Sequence, residues 1–559
     1  RNLYGTPLNT GIFIDHNVDI CRYENINFAP KYWLESGLGT PDAAVLKAYL
    51  RSHATALTIE QVDWSYLTDI TVDGYQVGVL LRKSTGRSDG SSANGQVYNL
   101  KITDCATGIM ADCINEIGFL FTKADVAADL PFHASSSFTS SITFKNVAFK
   151  GAGEYGVLNE GSGLLSLQDC TVELTGDGAK YGVASQGQGS QLLCVSTSFS
   201  GKGQHILADT KVSSAKIVNC MTESTLKVDN KAGKAVSVAY DENEKTTLLP
   251  EGYDYNRVVV TKPAGENFVD VSQAPYNVVI GTIKQYPTED ASAALQKAID
   301  DMAKAGGGIV YVPSGTILLQ KPIVVKSGVE LRGSSDMAHH TMTPATTFIT
   351  NYGAGDPDGT ALITVEGKAG LYGFRVFYNE LAIADVTPYA FTIRGNGSDL
   401  YIRNVTLSNS YQGVDLATNR CDNHYVESLC GAPLKTGIVA GAGSKNGLIR
   451  DAQFNLHYFS SNPYPGPDRD GNDIWDHMVR NTCGVVIRET ENQICYNNFI
   501  FGAHKGMLVE DGADVYTLGH GTDGSTIGLS IEGNGSKALN FVNSQLVCLH
   551  GKDDNILYI

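Results

Sequence analysis

Within residues 288–333 the hydrophobic period changes from that of a helix to that of short strands, and few folds accommodate such a change. Ala291, Leu295, Ala298, Ile299 and Met302 recur at helical spacing behind Glu289 and Asp290. Gly306, Gly307 and Gly308 then stop the helix where left-handed backbone is needed. The spacing predicts one amphipathic helix over about 290–304 and little helix elsewhere. Four β-rich runs follow, at 309–312, 316–319, 323–325 and 329–331, broken by Pro313, Gly315, Pro322 and Gly333. They are too short and too evenly spaced for the hairpins of a sandwich. They read as the first coils of a solenoid, with the helix covering its open edge.

The chain also contains a duplication. Gly11 matches Gly437, Phe28 matches Phe454 and Tyr32 matches Tyr458; after a small length difference Ile59 matches Ile487, Gly74 matches Gly502 and Gly78 matches Gly506. The stretch 140–220 repeats its apolar positions in coils of roughly 23 to 28 residues. Three parts are expected: a first module at 1–223 that lacks its cap, a connector at 224–282 where the period fades, and a second, capped module at 283–559. By this alignment the sequence reads as a piece cut at both ends, with a natural chain of two unequal modules as the alternative. Cys170, Cys194 and Cys220 lie about one coil apart and are expected to form a reduced core ladder, with disulfides as the alternative.

The glycine-stopped helix, the run I-V-Y-V-P-S-G-T and the run P-I-V-V-K-S-G-V-E-L-R-G together resemble the cap and first coils of the pectate-lyase-like right-handed parallel β-helices. The resemblance implies an all-β chain of two tandem right-handed, single-stranded parallel β-helices, with a helix cap on the second. It leaves the chemistry open, because the same cap opens hydrolases, lyases, epimerases and tailspikes. The tandem arrangement resembles glycoside hydrolase family 55, the exo-acting β-1,3-glucanases. That likeness implies a polysaccharide or oligosaccharide substrate in a cleft between two solenoids, no cofactor, and a monomer that is secreted or periplasmic.

Composition sets the outer limits. A net charge of −17 over 559 residues argues against a nucleic-acid partner, and no apolar run is long enough to span a membrane.

Glycoside hydrolysis needs a protonated carboxyl beside the leaving oxygen and, in most families, a second carboxylate. The densest cluster of acids and aromatics is at 460–477, which reads as a loop. It offers Asp468, Asp470, Asp473 and Asp476 among Tyr464, Trp475 and His477. Solvated surface and a calcium loop are the alternatives. The strand end that follows presents Arg488, Glu489 and Glu491. Glu489 matches Gln61 of the first module, so it is acidic in the second module only; it is the expected acid, with Asp473 or Asp476 as its partner. Gly519-His520-Gly521 is similar to the histidine loop of polygalacturonases, but the acidic motif of that family is missing upstream. Asp15, Asp19, Arg22 and Glu24 form a polar patch of the first module, read as surface ion pairs. A carbohydrate-binding tailspike or adhesin, and a polysaccharide lyase or epimerase, are the rival functions.

Overall fold

The computed structural model describes residues 1–244, 246–335, 345–533, 535–548 and 555–558. The chain divides into two compact units, Arg1–Leu249 and Pro250–Ile559. Both are parallel β-helices.

In the second unit the strands stack into three parallel sheets of ten, nine and nine strands, visited in turn by every coil. Inward residues form columns such as Ile438, Val485, Met507 and Leu529 on the third sheet, all of them buried. In the first unit many strands run unbroken around the corners, Gly95–Asp112 for example, so its coils merge into one twenty-stranded sheet. The same columns recur there: Phe144, Leu167, Cys194 and Ile217 lie one above another.

One corner fixes the register of both units. Between the first- and second-sheet strands most coils place one residue in the left-handed region. In the first unit these include Asn25, Asp69, Asn99, Asn146 and Asn219; in the second they include Asn404, Asp451, Asn497 and Asn543. Asn and Asp tolerate that conformation better than other non-glycine residues. From Asn25 to Asp69 and from Asp451 to Asn497 the step is roughly two coil lengths, and each extra length is a helical insertion at the same point of the repeat.

Those insertions correct the expectation of little helix outside the cap. In the first unit the helices α1 (Lys31–Leu34) and α2 (Ala43–His53) follow Phe28. The cap is α3 (Ser292–Lys304), whose Leu295, Ala298, Ile299 and Met302 close the first coil of the second unit. Then α4 (His457–Ser460) and α5 (Gly471–Asn481) follow Phe454 as α1 and α2 follow Phe28. Asp42 caps α2 and Asp470 caps α5, each accepting from backbone N–H groups. Leu46 and Leu50 are buried on one, Ile474 and Met478 on the other.

Two further expectations are revised. The stretch 224–282 is divided between the units: Val228–Asn230 and Val236–Ala239 pair onto the last coils of the first. From Pro250 onward the chain belongs to the second unit and lies across the outer face of its first sheet. Tyr253 stacks on Tyr516 at 4.6 Å, Tyr255 lies 5.3 Å from Tyr496, and Arg403 donates to Thr261 at 2.8 Å. Ala264 donates its N–H to Gly328 at 3.0 Å, and Asn267–Asp270 becomes the edge strand. From Tyr253 to Ala264 this strap crosses roughly 30 Å of strands stacked about 4.8 Å apart, which an extended chain of that length covers with little slack. The cysteine ladder is also not a single column. Cys170 and Cys220 share a corner with Thr197 between them, whereas Cys194 faces inward on the neighbouring strand, between Leu167 and Ile217.

The duplication makes a paired prediction. A Cβ at Gly11 would meet the Ala56 carbonyl at 2.5 Å and the Phe28 ring at 2.6 Å, and one at Gly437 would strike the Gly484 carbonyl and Phe454 in the same way. Gly11→Ala and Gly437→Ala are each expected to cost about 1 to 3 kcal/mol through overpacking. Gly5→Ala, with nothing within 4 Å of its Cβ, should leave the melting curve unchanged.

Candidate functional site

A solenoid face is flat, and the second unit acquires relief where α4 and α5 leave the second sheet and return to the third. Asn455, Phe501 and Asp523 occupy one register position on three successive second-sheet strands beneath that insertion. Trp475 on α5 reaches across them. Its ring lies 5.0 Å from Phe501 and fits directly against Gly502 and Gly524, where a Cβ would collide with it. Both glycines have positive φ, so the close approach and the turn call for the same residue. His457 at the start of α4 stacks on the same Phe501 at 6.4 Å.

Asp523, next to Gly524, is half-buried at this aromatic corner. Burial raises its carboxyl above the ordinary aspartate value, and only the Gly524 N–H opposes the shift. Other displaced carboxyls of the second unit move down: Asp415 and Asp422 because hydrogen bonds and arginines stabilise the anion, Glu491 and Glu532 because lysines do. A carboxyl whose pKa is raised keeps its proton to a higher pH than an exposed aspartate does, which is the direction a general acid needs.

The residues singled out from the sequence fall into three groups. The first sits at this insertion. The 460–477 stretch is not one loop, because α5 begins at Gly471. Asp470 is the helix cap, Asp473 lies in the first turn and Asp476 pairs with Arg480 at 3.3 Å; all three are exposed. Asp468 accepts only from the N–H of its neighbour Arg469. Among the described residues no acids or histidines converge as a metal cage would require. His477 is half-buried, with Nε2 on the Leu434 carbonyl at 2.9 Å, and burial lowers its pKa.

The second group is buried and cannot meet a ligand. Tyr464 is 2% exposed; its hydroxyl oxygen accepts from Thr347 Oγ1 at 2.7 Å and its ring lies under the Arg375 guanidinium. His520 is interior, its pKa pushed down to about 4 by burial alone. Neither can serve as the substrate contact expected of it.

The third group lies at a different corner. Arg488, Glu489 and Glu491 follow the third-sheet strand Cys483–Ile487, whereas α5 precedes it. That strand's five residues, at about 3.3 Å each, put about 16 Å between the two corners. The expected pairing of Glu489 with Asp473 or Asp476 is therefore not formed. Glu489 adopts φ 46° and its carbonyl accepts from Gly443, so it is a turn residue. Glu491 is bound to Lys445 at 2.7 Å, and Arg488 faces Glu510 at 3.5 Å. In the first unit Asp15 accepts from Ser84 and Gln61, and Glu60 accepts from Arg82 and Thr85, so these acids hold a turn together.

One family model matches part of the second unit. Residues 283–455 match a family model described as Rhamnogalacturonase A/epimerase, pectate lyase-like. Among solved structures, an exopolygalacturonase from Thermotoga maritima is similar at 12% identity and a TM-score of 0.35, over 49% of this chain and 70% of that one. The A-module of a mannuronan C-5 epimerase from Azotobacter vinelandii is similar at 12% identity and a TM-score of 0.25, over 51% and 98%. The PL6 family alginate lyase AlyGC, as a mutant, is similar at 9% identity and a TM-score of 0.27, over 99% and 96%. No curated protein matches the chain.

Removing the α5 cap tests how the site is held. Asp470→Ala is expected to cost about 1 kcal/mol of stability, read as a lower melting temperature, whereas Asp468→Ala should shift it by less than about 0.5 kcal/mol, as for a surface change.

Proposed function

We propose that the chain is a glycoside hydrolase that acts on a polysaccharide, with Asp523 as its general acid. The observation that carries this reading is the half-buried Asp523 carboxyl, raised by burial and set beside Trp475 and Phe501. Aromatic rings of that kind receive the C–H faces of a pyranose, and a protonated acid beside them is placed to protonate a leaving oxygen. The glycosidic C–O bond then breaks as the Asp523 proton passes to the departing sugar. Water adds its oxygen to the anomeric carbon and gives its proton to a carboxylate. Asp473 and Asp476, exposed on the same helix as Trp475, are the carboxylates we assign to that second role. A polymer of this size is met outside the cytoplasm, and we assign the protein to a secreted or periplasmic setting.

The test is Asp523→Asn on the full chain, followed by reducing-sugar release from a polysaccharide panel. Turnover should fall about 10²-fold or more, with reducing sugar and no unsaturated sugar formed by the parent. An unsaturated product would identify elimination instead. Near-normal turnover in the variant would remove Asp523 from the reaction.

Stability supplies a second reading with its own sign. Because burial raises the folded-state pKa, the protonated form is the one the fold favours. The stability it contributes is complete below the unfolded pKa and lost as pH rises through the folded one. At neutral pH Asp523→Asn should therefore raise the melting temperature while abolishing activity. In the parent, activity should decline with pH at a higher value than an exposed aspartic acid would give.

A further inference from the structure

We infer that the Asp523–Trp475 site takes a neutral glycan and excludes polyuronates; this rests on the reading of that site as hydrolytic. Four exposed aspartates, Asp468, Asp470, Asp473 and Asp476, stand on the turn and helix that form its rim. The cations of the same insertion have partners of their own: His457 stacks on Phe501 at 6.4 Å with Nδ1 3.4 Å from Ser460 Oγ. Arg480 is paired with Asp476 at 3.3 Å. Arg469 is half-buried over the Phe377 ring at 5.8 Å, with Nη2 donating to the Tyr464 carbonyl at 2.7 Å. His477 has its pKa lowered by burial and places Nε2 on the Leu434 carbonyl. Lys505, at the start of the next coil's third-sheet strand, is ion-paired with Glu532.

A uronic acid residue at Trp475 would bring one carboxylate per sugar toward this acidic rim and lose water against aromatic rings, while the described cations of the insertion are bound to other groups. Selection against the charged polymer follows from that repulsion. The chemistry agrees. Elimination from, or epimerisation of, a uronate removes the proton beside its carboxylate, and that step requires a positive group to hold the developing charge. Protonating a glycosidic oxygen requires a carboxylic acid and no such positive group, and Asp523 is the carboxyl at this corner. A neutral pyranose loses nothing at the acidic rim and gains the stacking surfaces of Trp475 and Phe501.

The experiment is affinity electrophoresis and reducing-sugar release with the full chain, using soluble β-1,3-glucan and β-1,4-mannan against polygalacturonate and alginate, at low and at moderate salt. At least one neutral glycan is expected to retard the protein and to be cleaved at least ten times faster than either polyuronate. Any weak retardation by polyuronate should grow as salt screens the repulsion. A polyuronate cleaved as fast as the neutral glycans, with activity still lost in Asp523→Asn, would overturn the substrate inference and leave the hydrolytic reading standing, as would polyuronate retardation that weakens as salt is added. Activity that survives in Asp523→Asn on every glycan would overturn the hydrolytic reading itself. The melting temperature of the variant, expected at or above the parent's, shows that a loss of activity is not a loss of fold.

Discussion

Every part of this protein depends on the parallel hydrogen-bond ladder that stacks one coil on the next at about 4.8 Å. The ladder dictates that each column of inward side chains be filled in every coil. One apolar column per strand position therefore runs the length of each unit, and the corner residue of most coils accepts the same left-handed turn. The ladder also leaves a free edge where a solenoid starts. In the second unit that edge is covered by α3 and extended by the strand Asn267–Asp270.

The same regularity keeps the relief of a solenoid face low. Function has to be added where the repeat is interrupted, and the chain interrupts it at the same point in both units. In the second unit the interruption brings Trp475 over Phe501 and shields Asp523. In the first unit α2 carries Lys47 where α5 carries Trp475, and Asp73 stands where the second unit has Phe501. One backbone plan thus serves two surfaces, only one of which combines an aromatic platform with a desolvated acid. The strap from Tyr253 to Ala264 shows another use of a flat face. An extended segment can lie across the strands and be fixed by alternate side chains, because the outward tyrosines and arginines recur coil after coil.

Much of this was legible in the residues. The cap helix, its glycine stop and the coils after it were written in local periodicity, because a helix of period 3.6 and strands of period 2 need no distant partner to be recognised. The repeat between Gly11 and Gly437 was legible because the same steric demand, a carbonyl and a phenylalanine ring against the glycine, selects the same residue twice. The helix α5 could have been read from Asp470 as cap with Ile474 and Met478 at helical spacing, but the surrounding Pro, Gly and Asp made the stretch look like a loop.

Composition and period determined the class of fold, the duplication and the rough location of an acidic, aromatic insertion, all of which are properties of neighbours in sequence. Tertiary structure alone decided which acids share a corner with the aromatic rings. Glu489 and Asp473 are close along the chain, but the five-residue strand Cys483–Ile487 carries them to different corners. Asp523 is remote from Trp475 in sequence, but the coils return it to the same corner. A carboxyl's burial depends on what other coils place around it, so the shift that distinguishes Asp523 is written in no single stretch of the chain.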